Sequence, residues 1–562
     1  MSDSTEFEES AVPIWQKPPG VNGDSALVRV GLPVLRQEDG ACPLKWALKA
    51  RPRVQSATDG WRTSPVVEFS FAAWEVLVDA VEFPDRPQGA RGGATVTPAH
   101  LAWGREAAAG FLVARERFLR DGESEGLPRT VPVEDRWVAA KPGDVPGVRK
   151  YELEVWGRQY ATPDGSVREL WLPQLGALTP TRPLSELAAA AGALAHGVPS
   201  DTGRYKAERT ALHPGGPAPD RVRIVGVGLG DGRISVLRAE EDGVAADWTS
   251  REARDMFDRH AAPRVAPATS GTARRPGQDC VDCKALSSCP SVKRVPGLLG
   301  VPERSPGRKR RTVSISDLRA YRDCPSRYHL TRVLRLRELK AESEAIRRGR
   351  AVDAWLNTRH ADPRRVPCRH ISLPRSLPGL AAGELAPALA MLERHRARCP
   401  FDRIGAQDLC LPQHRVTVYD PEADVVVLAD CDLVYTERGA VVVRETKTGA
   451  RRYGANVELM EYHPQLALAV LFVASGVLTG DPRRSRVELE TLRVDGSAEE
   501  ELDPFDPATV EQARGVVRGL AASWAAAVEY PEVPRTGYDC GQCEARRWCA
   551  TGRARRTEGA AR

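Results

Sequence analysis

Apolar and polar positions along the chain follow a pattern that occurs twice. In the first half, apolar residues at helical spacing predict a helix over 100–120. Strand-like runs follow at 151–159 and 167–172, then a helix at 184–196, a strand at 222–229 and a helix at 250–260. The second half repeats the order with a helix at 344–360, strands at 425–434 and 440–445, a helix at 457–473, a strand at 487–494 and a helix at 508–528. Its paired strands carry unbroken apolar runs, Val425-Val-Val-Leu428 and Val441-Val-Val443, as strands buried on both faces do. The shared order predicts an α/β fold of two tandem domains, each with a central mixed sheet flanked by helices.

Cysteine placement repeats with the same period. Cys42 is followed far downstream by Cys280, Cys283 and Cys289, and Cys324 by Cys540, Cys543 and Cys549. Each set opens on Cys-Pro and closes on Cys-x2-Cys-x5-Cys, so each predicted domain has a four-cysteine clasp. Proline fits the first turn of a helix, where its missing N–H has no intrahelical partner. Four thiolates at this spacing suit either a [4Fe–4S] cluster or Zn²⁺, and spacing does not choose between them. Cys368, Cys399, Cys410 and Cys431 share no spacing and read as buried or incidental thiols. The organisation expected is a flexible leader at 1–30, a first domain at 31–294, a basic linker at 295–312, a second domain at 313–553 and a basic tail at 554–562. Within the linker, the run Arg308-Lys-Arg-Arg311 reads either as solvated charge or as a patch that tracks phosphates.

Composition narrows the classes. The 562 residues exceed one core and suit two or three domains. With 28% charged and 42% hydrophobic residues the balance is that of a soluble globular protein. A net charge of +6 on this length is weak evidence for a nucleic-acid partner. No run approaches a membrane span, and the acidic first residues do not resemble a secretory signal, so a cytoplasmic location without a membrane partner is expected. Regularly spaced cysteines there bind metal more often than they form disulfides.

The stretch from Leu428 to Gly449 carries the chemistry. It reads as a hairpin turning near Gly439, with Asp432 on one strand and Glu445 and Lys447 two apart on the next, sharing a face. Two carboxylates and a lysine at the mouth of a sheet suit phosphodiester chemistry on Mg²⁺ or Mn²⁺, hard cations that prefer carboxylate oxygens. Alone, such a triple reads as surface charge on a hairpin.

The surrounding residues resemble the PD-(D/E)XK nuclease superfamily, in particular the RecB/AddB-type exonuclease domain with an iron–sulfur staple. The resemblance covers about 314–553 and rests on several stretches in order. Ser314-Ile-Ser316 with Tyr321 and Cys324-Pro325 matches the opening motif, and Gly349 to Asp353 matches a helix motif ending in histidine. Asp432, Glu445, Lys447 and Thr448-Gly449 match the catalytic strands, and Gln465-Leu466 matches the following helix. The resemblance implies restriction-endonuclease-like domains, Mg²⁺ or Mn²⁺ at Asp353, Asp432 and Glu445, and catalytic roles for Asp432, Glu445, Lys447 and Gln465. It also implies a [4Fe–4S] cluster on Cys324, Cys540, Cys543 and Cys549, with a second on Cys42, Cys280, Cys283 and Cys289. Two departures stand out: the family's helix histidine is Asp353, either a ligand or a polar surface residue, and its tyrosine after the glutamine is Ala469.

Aligning Gly165 with Gly439 places Arg158 opposite Asp432, Trp171 opposite Glu445 and Pro173 opposite Lys447, so the first copy reads as a pseudonuclease. Its Arg158, Trp156 and Trp171 suit either a DNA-holding surface or a purely structural domain. The function expected is a metal-dependent DNA nuclease, an exonuclease of repair, recombination or phage defence. The rival readings are a non-catalytic DNA-binding scaffold and a nuclease subunit with a helicase or other repair or defence partner, since the chain has no Gly-x4-Gly-Lys-Ser/Thr phosphate loop.

Overall fold

The computed structural model describes residues 15–36, 40–58, 64–86, 94–140, 151–200, 218–302, 309–338, 342–449 and 458–554. Residues 1–14 of the expected leader, Arg308 of the basic run and 555–562 of the expected tail lie outside them. The chain forms two compact units. One holds the described residues of Met1–Ser291, His329–Leu339 and Asp539–Arg562; the other holds those of Val292–Tyr328 and Lys340–Tyr538. Among the described residues, no helix is long and apolar enough to cross a membrane.

The first unit carries strands Val131–Pro132 (β1), Arg158–Ala161 (β2), Val167–Gln174 (β3), Arg221–Gly228 (β4) and Ile234–Val236 (β5). They lie in the order β5-β4-β3-β2-β1. Neighbours are antiparallel except β3 and β4, which run parallel. A parallel pair needs a crossover, and helix Leu184–His196 (α2) lies between these two strands in the chain. Its alanine-rich surface is buried from Leu184 to Ala195. The expected helix at 100–120 is Pro98–Ser124 (α1), started by Thr97, whose hydroxyl accepts from the His100 amide. The strand expected at 151–159 is two strands in two sheets, Tyr151–Glu154 and β2. Between them Gly157 lies so close to the chain that a Cβ there would sit 2.7 Å from the Trp171 carbonyl oxygen. The described part of the expected leader is also ordered into the fold: Val21, Leu27, Val28 and Val30 are buried, and Val28–Val30 pairs with Tyr151–Glu154.

The second unit repeats this sheet order with longer strands: Cys410–Asp420 (β6), Val425–Glu437 (β7), Ala440–Thr448 (β8), Arg486–Arg493 (β9) and Gly496–Leu502 (β10). Again, among these five strands, the parallel pair is the one between the second hairpin strand and the strand that follows, β8 with β9. The β7–β8 turn is Arg438-Gly439, with φ of 51° and 85°. Two positive φ values match a two-residue turn whose twist suits the strands, and glycine takes the second at no steric cost. Helices Ile315–Asp323 (α3), Glu344–His360 (α4), Ala382–Arg396 (α5), Pro464–Ala474 (α6) and Pro507–Ala526 (α7) complete the unit. α4 coincides with the helix expected at 344–360. The helix expected at 457–473 is a short turn, Leu459–Tyr462, followed by α6. The break falls before Pro464, which cannot continue a helix from behind but starts one well.

The described residues of the expected linker, 295–302 and 309–312, are not a solvated tether: Leu298, Leu299 and Val301 are buried, and the strand Arg311–Val313 belongs to the second unit's sheet. The Asp420 carboxylate accepts from the amides of Gly297 and Leu299, each at 3.0 Å. Nor are Arg310 and Arg311 a phosphate-tracking patch: Arg310 donates to Asp424 at 2.7 Å, and Arg311 lies over the Tyr530 ring.

Candidate active site

The acids meet where the sheet opens. β7 and β8 pair from Glu437↔Ala440 to Leu433↔Arg444, and the pairing stops one residue short of Asp432 and Glu445. The Asp432 carboxylate accepts from the Thr446 amide at 2.8 Å, replacing the ladder bond that the splay removes. Across Asp432 on β6 stands Gln413, at a φ of 50° between the pairs Pro412↔Leu433 and His414↔Cys431. A non-glycine residue in this region is strained, and such strain gathers at functional sites.

Strand alternation sorts the side chains of β8. Glu445 and Lys447 share one face; Arg444 and Thr446 take the other, beside Glu488 and Glu490 of β9. Lys447 Nζ donates to Glu445 Oε2 at 2.9 Å and to Asp432 Oδ2 at 3.3 Å. Gln465, in the first turn of α6, hydrogen-bonds the Glu445 carboxylate. Burial pushes the Glu445 carboxyl up, to about 7, against the pull of Lys447. Burial alone would lower the Lys447 ammonium, but the charges of Glu445 and Asp432 outweigh it and hold the lysine protonated.

Asp353 lies on α4. Its carboxylate accepts from Asn357 at 2.9 Å and Gln413 at 3.4 Å. Burial raises its carboxyl, and the neighbouring Asp432 charge adds to the rise, so Asp353 is within electrostatic reach of Asp432 and Lys447. The Asp353, Asp432 and Glu445 oxygens do not all lie within 4.8 Å of one another; among the described residues the groups that do are His360–Cys368–His395–Cys399 and Glu488–Glu499–Glu501. The second of these groups is crossed by arginines, with Arg444 Nη2 2.6 Å from Glu488 and 3.3 Å from Glu499. In the first, Cys368 and Cys399, read from the sequence as buried or incidental thiols, are buried beside two histidines. Their separations along the chain follow no metal-binding spacing, so only the fold reveals the group. Cys431 and Cys410 fit the expectation of buried or incidental thiols, each raised by burial.

In the first unit, Cys283 feels the charges of Cys42, Cys280 and Cys289, so those three sulfurs lie within its electrostatic reach. The amides of Gly277 and Arg275 point at Cys280 Sγ (3.4 Å) and Cys42 Sγ (3.5 Å). Asp279 ties the cysteine triplet to the Cys-Pro helix, accepting from the Cys42 amide, Lys45 and Trp46. In the other set, Cys324, Cys540 and Cys543 are buried and Cys549 is partly exposed, the same ordering as in the first set. Cys324 belongs to one unit, and Cys540, Cys543 and Cys549 to the other.

Where the second unit has acids, the first has packing. Arg158 is bound by Asp79 at 2.8 Å and by Glu82, which also accepts from the Tyr160 hydroxyl at 2.7 Å. Trp171 is buried and donates to Glu169, while Trp156 donates to Glu75 and packs on Phe71. Of the two readings of Arg158, Trp156 and Trp171, these contacts favour the structural one, since the cation is paired and the indoles are engaged.

Comparison with known proteins bears on the second half. Residues 312–550 match the family model of the PD-(D/E)XK nuclease superfamily. No curated protein matches the chain. Among solved structures, SSO0001 is 16% identical over 43% of this chain and 86% of its own, with a TM-score of 0.23. A protein of Eubacterium rectale, described provisionally as an exonuclease, is 14% identical over 37% of this chain and 77% of its own, with a TM-score of 0.25. Scores this low carry no weight for fold or function.

Proposed function

We propose that the chain is a metal-dependent DNA nuclease, an exonuclease of repair, recombination or phage defence, working through Asp432, Glu445, Lys447 and Gln465. One observation carries this reading: within a region that matches a nuclease family, a protonated lysine bridges two carboxylates where two strands splay apart. The donors offered are all oxygens, with Asp432 and Glu445 foremost and Asp353 alongside, a set that suits Mg²⁺ or Mn²⁺. A divalent cation bound there polarises the scissile phosphate and lowers the pKa of water. Lys447, kept protonated by its acidic neighbours, faces the negative charge that builds on the phosphate. Gln465 holds the Glu445 carboxylate in orientation from the start of α6.

The order of five strands common to both units, with a parallel pair at the same step, supports a tandem duplication of a restriction-endonuclease-like domain, the first copy having lost its acids. Cys42, Cys280 and Cys289, within electrostatic reach of Cys283 and with backbone amides aimed at two of the sulfurs, support a [4Fe–4S] clasp, with Zn²⁺ as the alternative. In the sequence, Cys324, Cys540, Cys543 and Cys549 carry the same closing spacing. An exonuclease should degrade linear DNA in Mg²⁺ or Mn²⁺, lose activity in chelator, and spare covalently closed circles. Cutting of closed circles at the same rate would turn the reading to an endonuclease. Absence of cutting with any metal, with DNA still bound, would favour the scaffold.

A further inference from the structure

Four side chains that the nuclease reading does not use converge inside the second unit. His360 ends α4, Cys368 opens a short turn, His395 lies in the last turn of α5, and Cys399 follows that helix. All four are buried, and one donor atom from each lies within 4.8 Å of the others. The His360 and His395 Nε2 atoms face each other at 3.3 Å, and Cys368 Sγ and Cys399 Sγ each stand 4.0 Å from His360 Nε2. Tetrahedral Zn²⁺ with its usual bond lengths sets ligand atoms roughly 3.3–3.8 Å apart, so small side-chain shifts complete the geometry. The far side of His395 matches as well. Its Nδ1 meets the Glu490 carboxylate at 2.9 and 3.1 Å, and Glu490 is wholly buried. A carboxylate on the second ring nitrogen fixes the tautomer and turns Nε2 toward a metal.

We propose that His360, Cys368, His395 and Cys399 form a closed structural Zn²⁺ site, with Glu490 as the residue that positions His395. Nothing in the site is open to substrate, since all four donors come from the protein and are buried. The thiols bind as thiolates, so zinc uptake releases protons to solvent. The site pins the end of α4, the helix that carries Asp353, to the end of α5 and to β9. Glu490 also accepts from the Thr446 hydroxyl at 3.4 Å, and the Thr446 amide holds Asp432. The zinc site therefore buttresses the nuclease strand from its opposite face, but its existence does not depend on the nuclease reading.

The test is metal content and coordination in the full chain. Elemental analysis of protein purified from zinc-supplemented cells should find a zinc equivalent that the double variant Cys368→Ser/Cys399→Ser lacks, with iron unchanged. Zinc X-ray absorption should show a mixed nitrogen and sulfur shell. Glu490→Gln, which keeps all four donors, should hold this zinc roughly 10–100-fold less tightly against a chelator. Equal zinc in the double variant, a zinc-free full chain, or a Cys368–Cys399 disulfide in the purified protein would each overturn the proposal. If the double variant does not fold, the coordination shell and the Glu490→Gln titration decide, and a sulfur-only shell or unchanged affinity would overturn it.

Discussion

Under the proposed function, Glu445 trades stability for chemistry. Its folded carboxyl titrates at about 7, above its ordinary 4.5, because it is buried. The folded state therefore binds the extra proton between these values, and stability falls as pH rises through that window. Glu445→Gln removes this cost. Denaturant unfolding of metal-free protein at pH 8 should show the variant more stable by about 1–3 kcal/mol, with the advantage vanishing near pH 4.5. Metal binding should weaken as pH falls through about 7, because the cation competes with that proton. Lys447→Met should act differently: it removes a cation rather than a donor. Cation affinity measured by titration should be retained, while cleavage falls by about 10²-fold or more. These residues could be picked out in the sequence because Glu445 and Lys447 are two apart on a strand. The opposition of Asp432 was also foreseeable from the hairpin. The splay at Asp432 was not, since it depends on where pairing with β7 stops.

At the level of elements, the face of β8 opposite the acids is held by buried charge. Arg444 and Glu488 are each nearly inaccessible, and Arg444 also donates to the Arg398 carbonyl at 2.7 Å. Removing one partner strands the others in a low-dielectric interior. Arg444→Met should therefore destabilise the second unit by about 3–5 kcal/mol in urea unfolding, far beyond the loss of one surface ion pair. Gly439→Ala should cost about 1–2 kcal/mol in the same assay, because the turn needs a left-handed residue there. Apolar runs made the strands and helices visible in the sequence: 344–360 and 184–196 coincide with the helices found. Arg444, Glu488, Glu490 and His395 were invisible, because a buried polar residue reads as exposed until its cross-strand partner is known. The linker was misread for the same reason, since Arg310 looks solvated until Asp424 is placed beside it.

Across the whole molecule, two units with one strand order have different interiors at the same place. The second presents Asp432, Glu445 and Lys447; the first fills that position with Arg158, neutralised by Asp79 and Glu82, and buried Trp171. Along the sequence, two sets of four cysteines repeat with the same closing spacing. If each set holds a [4Fe–4S] cluster, anaerobically purified protein should be brown and contain about eight iron atoms per chain; zinc in their place would remove the cluster assignment. The most direct test of the account is cleavage of end-labelled linear DNA in Mn²⁺ or Mg²⁺ by the full chain beside Glu445→Ala and Lys447→Ala. The account predicts degradation by the unaltered protein and none above background by either variant, each still folded. Undiminished cleavage by both variants would contradict it.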